Sequence, residues 1–98
     1  MPRGMVRYRV KPEKIEETER LVADVFRELQ AKAPHDVRYL VLRLGDGTFC
    51  HLFDDASKTI PSLEAFAAFR HGAEERRLEA PQQTEATVVG NYRMLAEP

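Results

Sequence analysis

Residues 37–53 read Val-Arg-Tyr-Leu-Val-Leu-Arg-Leu-Gly-Asp-Gly-Thr-Phe-Cys-His-Leu-Phe. Two β-prone runs flank the triplet Gly45-Asp46-Gly47. Glycine tolerates the positive φ of a tight hairpin turn, so the stretch predicts a strand over 37–44, a turn, and a returning strand over 48–53. Side chains alternate across a strand, which puts Phe49, His51 and Phe53 on one face and Cys50 and Leu52 on the other. In the outgoing strand the same parity separates Tyr39 and Val41 from Leu40, Leu42 and Leu44. Both sets carry large apolar groups, so alternation alone does not say which set meets the core.

Working outward, residues 5–10 alternate Val6, Tyr8 and Val10 against Arg7 and Arg9, a strand pattern that Pro12 stops. Glu13, Glu16 and Glu17 then crowd a helix start, where the peptide dipoles favour acids. Ile15, Val22, Val25, Phe26 and Leu29 recur at helical spacing, Thr18 fills one step, and Pro34 closes the helix near Ala33. Beyond the hairpin, Leu63, Phe66, Ala67, Arg70, Ala73 and Arg77 trace one stripe of a second helix over 63–78, weakened at Gly72. Glu74, Glu75, Arg76 and Arg77 read as surface charge. A polar loop to Glu85 leads to a last strand over 87–95, interrupted by Gly90. The order strand, helix, strand, strand, helix, strand predicts an α+β fold: one ferredoxin-like βαββαβ sandwich over 1–98, a four-stranded antiparallel sheet with two helices on one face.

Composition narrows the function classes. Fifteen Lys and Arg against sixteen Asp and Glu leave no positive field to recruit nucleic acid or an anionic membrane. No apolar run approaches the ~20 residues of a membrane span. Cys50 is the single cysteine, so an internal disulfide is excluded, and it reads as a small buried apolar side chain. No zinc-ligand spacing, phosphate loop, dinucleotide fingerprint or nucleophile elbow occurs. With no apolar signal core near Arg3, the expected setting is a reducing cytoplasm.

Two helices cover only one sheet face. The other face then carries apolar groups interspersed with arginines, a surface rarely left wet on a monomer. Sheet-to-sheet pairing of two copies would bury it, so the expected partner is a second copy of this chain.

Gly45-Asp46-Gly47, the segment Leu63-Glu64-Ala65-Phe66-Ala67-Ala68-Phe69 and the element order resemble the dimeric α+β barrel proteins, within them the antibiotic-biosynthesis-monooxygenase-like superfamily. The resemblance spans residues 5–95. It implies a homodimer with sheets face to face, and activities such as cofactor-independent oxygenation of polycyclic phenols, haem degradation or handling of small signalling molecules. Members with oxygenase activity often place a tryptophan after the third strand; this chain has none, and Phe53 is the nearest large aromatic. Many place a histidine on the second helix. Matching Glu64-Ala65-Phe66 to that pattern puts Phe69 at the histidine's position, with His71 about 200° further round the helix. Neither a haem ligand nor an oxygenase histidine transfers.

The candidate catalytic residues are therefore His71, beside Gly72, and His51, between Phe49 and Phe53; either could exchange protons near neutral pH. Each also has a plain structural reading, His71 as a surface residue and His51 as a hydrogen-bonded packing residue. Tyr8, Tyr39, Arg7 and Asn91 are the candidate substrate-binding residues, able to orient an aromatic or acidic ligand. Asp54 and Asp55 read as loop or cap residues. No metal or cofactor is expected. Two readings follow: a small-molecule-binding homodimer, in its enzymatic form a cofactor-independent monooxygenase of a small organic substrate, or a non-catalytic structural or regulatory module.

Overall fold

In the computed structural model, which describes residues 3–96, the alternating N-terminal run forms β1 (Arg3–Arg9). A 3-10 turn over Pro12–Lys14 leads into α1 (Ile15–Lys32). The hairpin supplies β2 (Arg38–Arg43) and β3 (Thr48–Asp54), three short helices follow as α2 (Thr59–Ser62), α3 (Glu64–Arg70) and α4 (Ala73–Arg76), and β4 (Gln82–Ala86) closes the sheet. The strand order is β2-β3-β1-β4 and every neighbouring pair is antiparallel. This is the α+β, ferredoxin-like sandwich that the element order predicts; residues 1–2 and 97–98 of the expected 1–98 domain lie outside the described residues.

The hairpin turn closes through Leu44 N–H to Thr48 O at 2.7 Å and Gly47 N–H to Leu44 O at 3.1 Å. Gly47 sits at φ 86°, where a Cβ is strained, and its carbonyl accepts the Val10 N–H at 3.0 Å, tying the turn to the end of β1. Helix α1 ends on Ala33 in the left-handed conformation, φ 46°, with its N–H on Leu29 O at 2.7 Å, just ahead of Pro34.

Register resolves the open parity of β2. Val41 lies opposite His51, which lies opposite Val6, so Tyr39 and Val41 join Val6, Tyr8 and Phe49 under the helices. The closed core is Tyr8, Val10, Val25, Phe49, Leu63 and Phe69. The opposite face receives Met5, Leu52, Leu40, Leu42 and Cys50, with Arg7 beside Cys50 in register. Leu40 and Leu42 are 38% and 50% exposed there, in a molecule whose core residues are almost fully covered.

Three sequence expectations are corrected. The second helix is not continuous over 63–78. Leu63, at ψ 140°, separates α2 from α3, and His71 and Gly72 separate α3 from α4, with Gly72 at φ 73°. A left-handed residue ends the helical hydrogen-bond ladder, so the glycine that looked like a weak point is a break. The last strand is Gln82–Ala86, not 87–95. The apolar run stays out of the sheet because the Asn91 side chain folds it into a turn: Oδ1 accepts the Met94 and Leu95 N–H groups at 3.1 and 3.0 Å, and Nδ2 donates to Leu95 O at 2.9 Å. Val89, Tyr92 and Met94 are consequently exposed.

Nor is Arg76 surface charge. It is 5% exposed, donates through Nη2 to Phe69 O and through Nη1 to His71 O at 3.1 Å, and pairs with Glu17 at 3.7 Å. These are the carbonyls that the break after α3 strands, and a cation at a helix C-terminus also meets the negative end of its dipole. At the other end of α3, Glu28 of α1 accepts the Ala65 N–H at 2.8 Å and the Glu64 N–H at 3.3 Å, so a carboxylate from the neighbouring helix caps the start. Lys32 first, and these backbone donors next, hold the Glu28 carboxyl below its usual range. Replacing Arg76 with Met keeps the apolar stem and removes the donors. Chemical denaturation should show a loss of about 2–3 kcal/mol, the cost of leaving buried acceptors unpaired; an unchanged midpoint would refute the tie.

Candidate functional site

Because the second helical segment is broken into short pieces, it does not lie flush on the sheet. A cavity of about 690 Å³ opens between the inner sheet face and α2–α4. Its floor is Val6 and Tyr8 of β1 with Val10 just beyond that strand's end, Tyr39 of β2, and His51 and Phe53 of β3; its roof includes Ile60, Phe66 and Phe69. Lys58, Arg70, Glu74, Arg76, Arg77 and Asp55 add charge to the wall. That size and an apolar lining with a few convergent polar groups suit a small organic ligand.

His51 is the centre of the site. It lies on β3 between Val6 and Val41, while Tyr8 pairs with Phe49 and Tyr39 with Phe53, so the two tyrosines approach it diagonally from the strands on either side. Tyr8 Oη is 2.7 Å from Nε2 and Tyr39 Oη is 2.7 Å from Nδ1. Rings hold the group in place. Tyr8 stacks on Phe49 with centroids 5.9 Å apart, Tyr39 on Phe26 at 4.9 Å, and Phe69 sits 5.6 Å from the imidazole.

Burial sets the protonation states. His51 is 5% exposed, and burial lowers its pKa from 6.5 to about 4, so the ring is neutral at physiological pH. Burial raises both phenols well above their usual range; Tyr39 adds to the rise at Tyr8, and Arg76 and Arg77 oppose it. A neutral imidazole has one N–H and one lone pair. In either tautomer, therefore, one tyrosine donates to the ring and the other accepts from it. The accepting tyrosine keeps an O–H hydrogen with no partner among the described residues. The chain of bonds runs from phenol to imidazole to phenol and leaves one hydroxyl hydrogen unspent, polarised by the bonds behind it.

Of the sequence candidates, His51, Tyr8 and Tyr39 come together here. His71 is exposed at the break between α3 and α4; its carbonyl serves Arg76 and its side chain does not line the cavity. Arg7 is on the opposite sheet face, where its Nε donates to Gln82 Oε1 at 3.2 Å, because strand parity points it away from Tyr8. Asn91 is spent on its turn. Asp55 is a cap: its two carboxylate oxygens accept the Thr59 and Ile60 N–H groups at 2.9 and 2.8 Å. Sequence reasoning missed the wall residues Lys58 and Arg77, which carry no motif and reach the cavity only through the chain's bends. Among the described residues no group of three or more His, Cys, Asp or Glu is placed to hold a metal, and no helix is long and apolar enough to cross a membrane.

Between pH 6.5 and about 4 the unfolded chain takes up a proton at His51 that the folded chain refuses. Stability should thus fall as pH drops through that window and level off below it. His51→Gln should flatten this slope in denaturation curves, and ring nitrogen NMR of the wild type at pH 5 should show a neutral imidazole; a protonated His51 at that pH would contradict the site's electrostatics.

No family model matches the sequence, and no curated protein matches it. Solved structures do. A protein from Caulobacter crescentus CB15, classed by name with the antibiotic biosynthesis monooxygenases, superposes with a TM-score of 0.69 at 20% identity, covering 91% of this chain and 90% of its own. A similarly named protein from Bacteroides thetaiotaomicron VPI-5482 gives 0.71 at 16% identity, with coverages of 90% and 89%. A conserved protein from Methanosarcina mazei Go1 gives 0.69 at 18% identity, with coverages of 86% and 88%. At such identities the likeness concerns architecture, and on that footing the chain has the fold of the antibiotic-biosynthesis-monooxygenase-like proteins.

Proposed function

We propose that the protein is a homodimer that binds a small oxygenated aromatic molecule in the cavity, and that it oxygenates this molecule without a bound cofactor. The observation that carries the reading is the unspent tyrosine hydrogen at the end of the Tyr8–His51–Tyr39 chain. A donor fixed in an aromatic-lined pocket is suited to a phenol or carbonyl oxygen, and most of all to one that gains negative charge as an enolate forms. In the oxygenase reaction a ring CH2 flanked by such a group becomes a carbonyl. The carbon gives up four electrons to O2; one oxygen atom enters the new C=O, and the other leaves as water with the two carbon hydrogens. The monooxygenase names of the structural neighbours support this choice of chemistry.

One observation favours a second reading, a binding module without turnover. Both imidazole nitrogens are committed to the tyrosines and Asp55 is committed as a cap, so Glu74 is the remaining carboxylate of the wall. An enolising proton would have to leave through Glu74 or water. The two readings separate with 1,8-dihydroxyanthrone. Oxygen uptake of one O2 per substrate, above the protein-free rate, supports the enzyme. Saturable binding without uptake supports the module. In either case Tyr8→Phe/Tyr39→Phe should weaken binding by about tenfold, the worth of one ligand hydrogen bond; unchanged affinity would remove the tyrosines from the site.

The dimer is supported by the face that the helices leave bare. Leu40, Leu42, Leu52 and Met5 form a contiguous apolar patch by register, and Leu42 is half exposed. Sedimentation should give twice the chain mass at micromolar concentration, and Leu42→Asp, which buries a charge in the contact, should give a folded monomer. A compact wild-type monomer would end the proposal.

A further inference from the structure

Arg77 is the wall residue that the reading above leaves unexplained. Its backbone is fixed: the N–H bonds Ala73 O at 3.2 Å, and the residue bridges antiparallel to Val10. Its side chain lines the cavity, yet its Nε is buried and has no hydrogen-bond acceptor among the described residues. It forms no ion pair among them either. The neighbouring Arg76 shows the contrast, with two backbone carbonyls and Glu17 around its guanidinium. A buried guanidinium donor without an acceptor carries a penalty larger than that of a neutral group, and a negative charge beside the guanidinium in the cavity offsets it.

The rest of the wall indicates what that chemistry is. With Arg76 set against Glu17, the cations Lys58, Arg70 and Arg77 still outnumber the two carboxylates of the wall, Asp55 and Glu74. The cavity is thus electropositive, although the chain as a whole carries a net charge of −1. Planar guanidinium donors match a carboxylate better than any other common organic anion except phosphate, and the aromatic lining suits a ring attached to that anion.

We propose that the ligand is a hydroxy- or oxo-aromatic carboxylic acid, its carboxylate seated on Arg77 and its ring oxygen on the free hydroxyl of the Tyr8–His51–Tyr39 chain. This rests on the proposed ligand site and names the chemical class it takes. Two anchors, one for the anion and one for the ring oxygen, fix the orientation of the ring as well as its affinity.

The test compares two probes of one shape, 6-hydroxy-2-naphthoate and the neutral 6-hydroxy-2-naphthamide, by calorimetry on the full chain. The wild type should bind the acid about tenfold more tightly than the amide, as expected of one charge-assisted pair. That preference should shrink with added salt. Arg77→Gln should bind both probes alike, with amide affinity near wild type, which shows at once that the variant is folded; Arg77→Lys should keep part of the preference. Equal affinities in the wild type, or a preference that survives Arg77→Gln, would overturn the anion seat while leaving the cavity as a ligand site. Binding of neither probe by the wild type would overturn both.

Discussion

A helix that stops inside a small domain strands carbonyl groups, and they must find donors. Here the buried guanidinium of Arg76 reaches back across the turn at Gly72 to the carbonyls of Phe69 and His71. The same side chain lies over the Phe69 ring, and its own carbonyl accepts the Lys11 N–H at 2.9 Å, stitching the second helical segment to the end of β1. With those carbonyls satisfied, the segment can bend away from the sheet in three short pieces. The hollow beneath it is the volume the bend creates. One cation therefore underlies both the fold's least regular part and its most interesting surface.

Much of the architecture is legible in short-range pattern. The alternation around Gly45-Asp46-Gly47, the stripe from Ile15 to Leu29 and the stop at Pro34 are local signals, and local signals decide strands, helices and turns. The failures have a common cause. Residues 63–78 keep a helical period through the break, because period says nothing about φ at Gly72. Residues 87–95 look more strand-like than Gln82–Ala86, yet the polar segment pairs with β1 and forms an edge, and Asn91 folds the apolar one aside. The site divides in the same way. His51 is visible as a histidine sharing a face with Phe49 and Phe53. Its engagement with Tyr8 and Tyr39 depends on strand order and register, which bring residue 8, on the far side of α1, against the hairpin that carries residues 39 and 51. Arg77 announces itself only as a buried donor without a partner, a property of three dimensions.

The structural neighbours establish a scaffold, and scaffolds of this kind carry unrelated chemistries. The departures matter as much as the likeness. This chain has no tryptophan, and Phe69 stands where a second-helix histidine is common among the resembling proteins. Phe69 packs against the imidazole of His51, so the polar centre of this cavity is built on the strands and the helix contributes apolar wall. Groups anchored on three adjacent strands are held by the sheet's own ladder, a stiffer mounting than a seven-residue helix provides.

The symmetry of that polar centre has one more consequence. Hydroxyls flank the imidazole on both sides at equal length, 2.7 Å, and a hydroxyl can give or take. The three groups therefore form a hydrogen-bond chain whose polarity can run in either direction. Reversing it turns each hydroxyl and moves a proton from one ring nitrogen to the other, leaving every group neutral. The tautomer of one buried ring thus decides which wall of the pocket, that of Tyr8 or that of Tyr39, presents the unspent hydrogen.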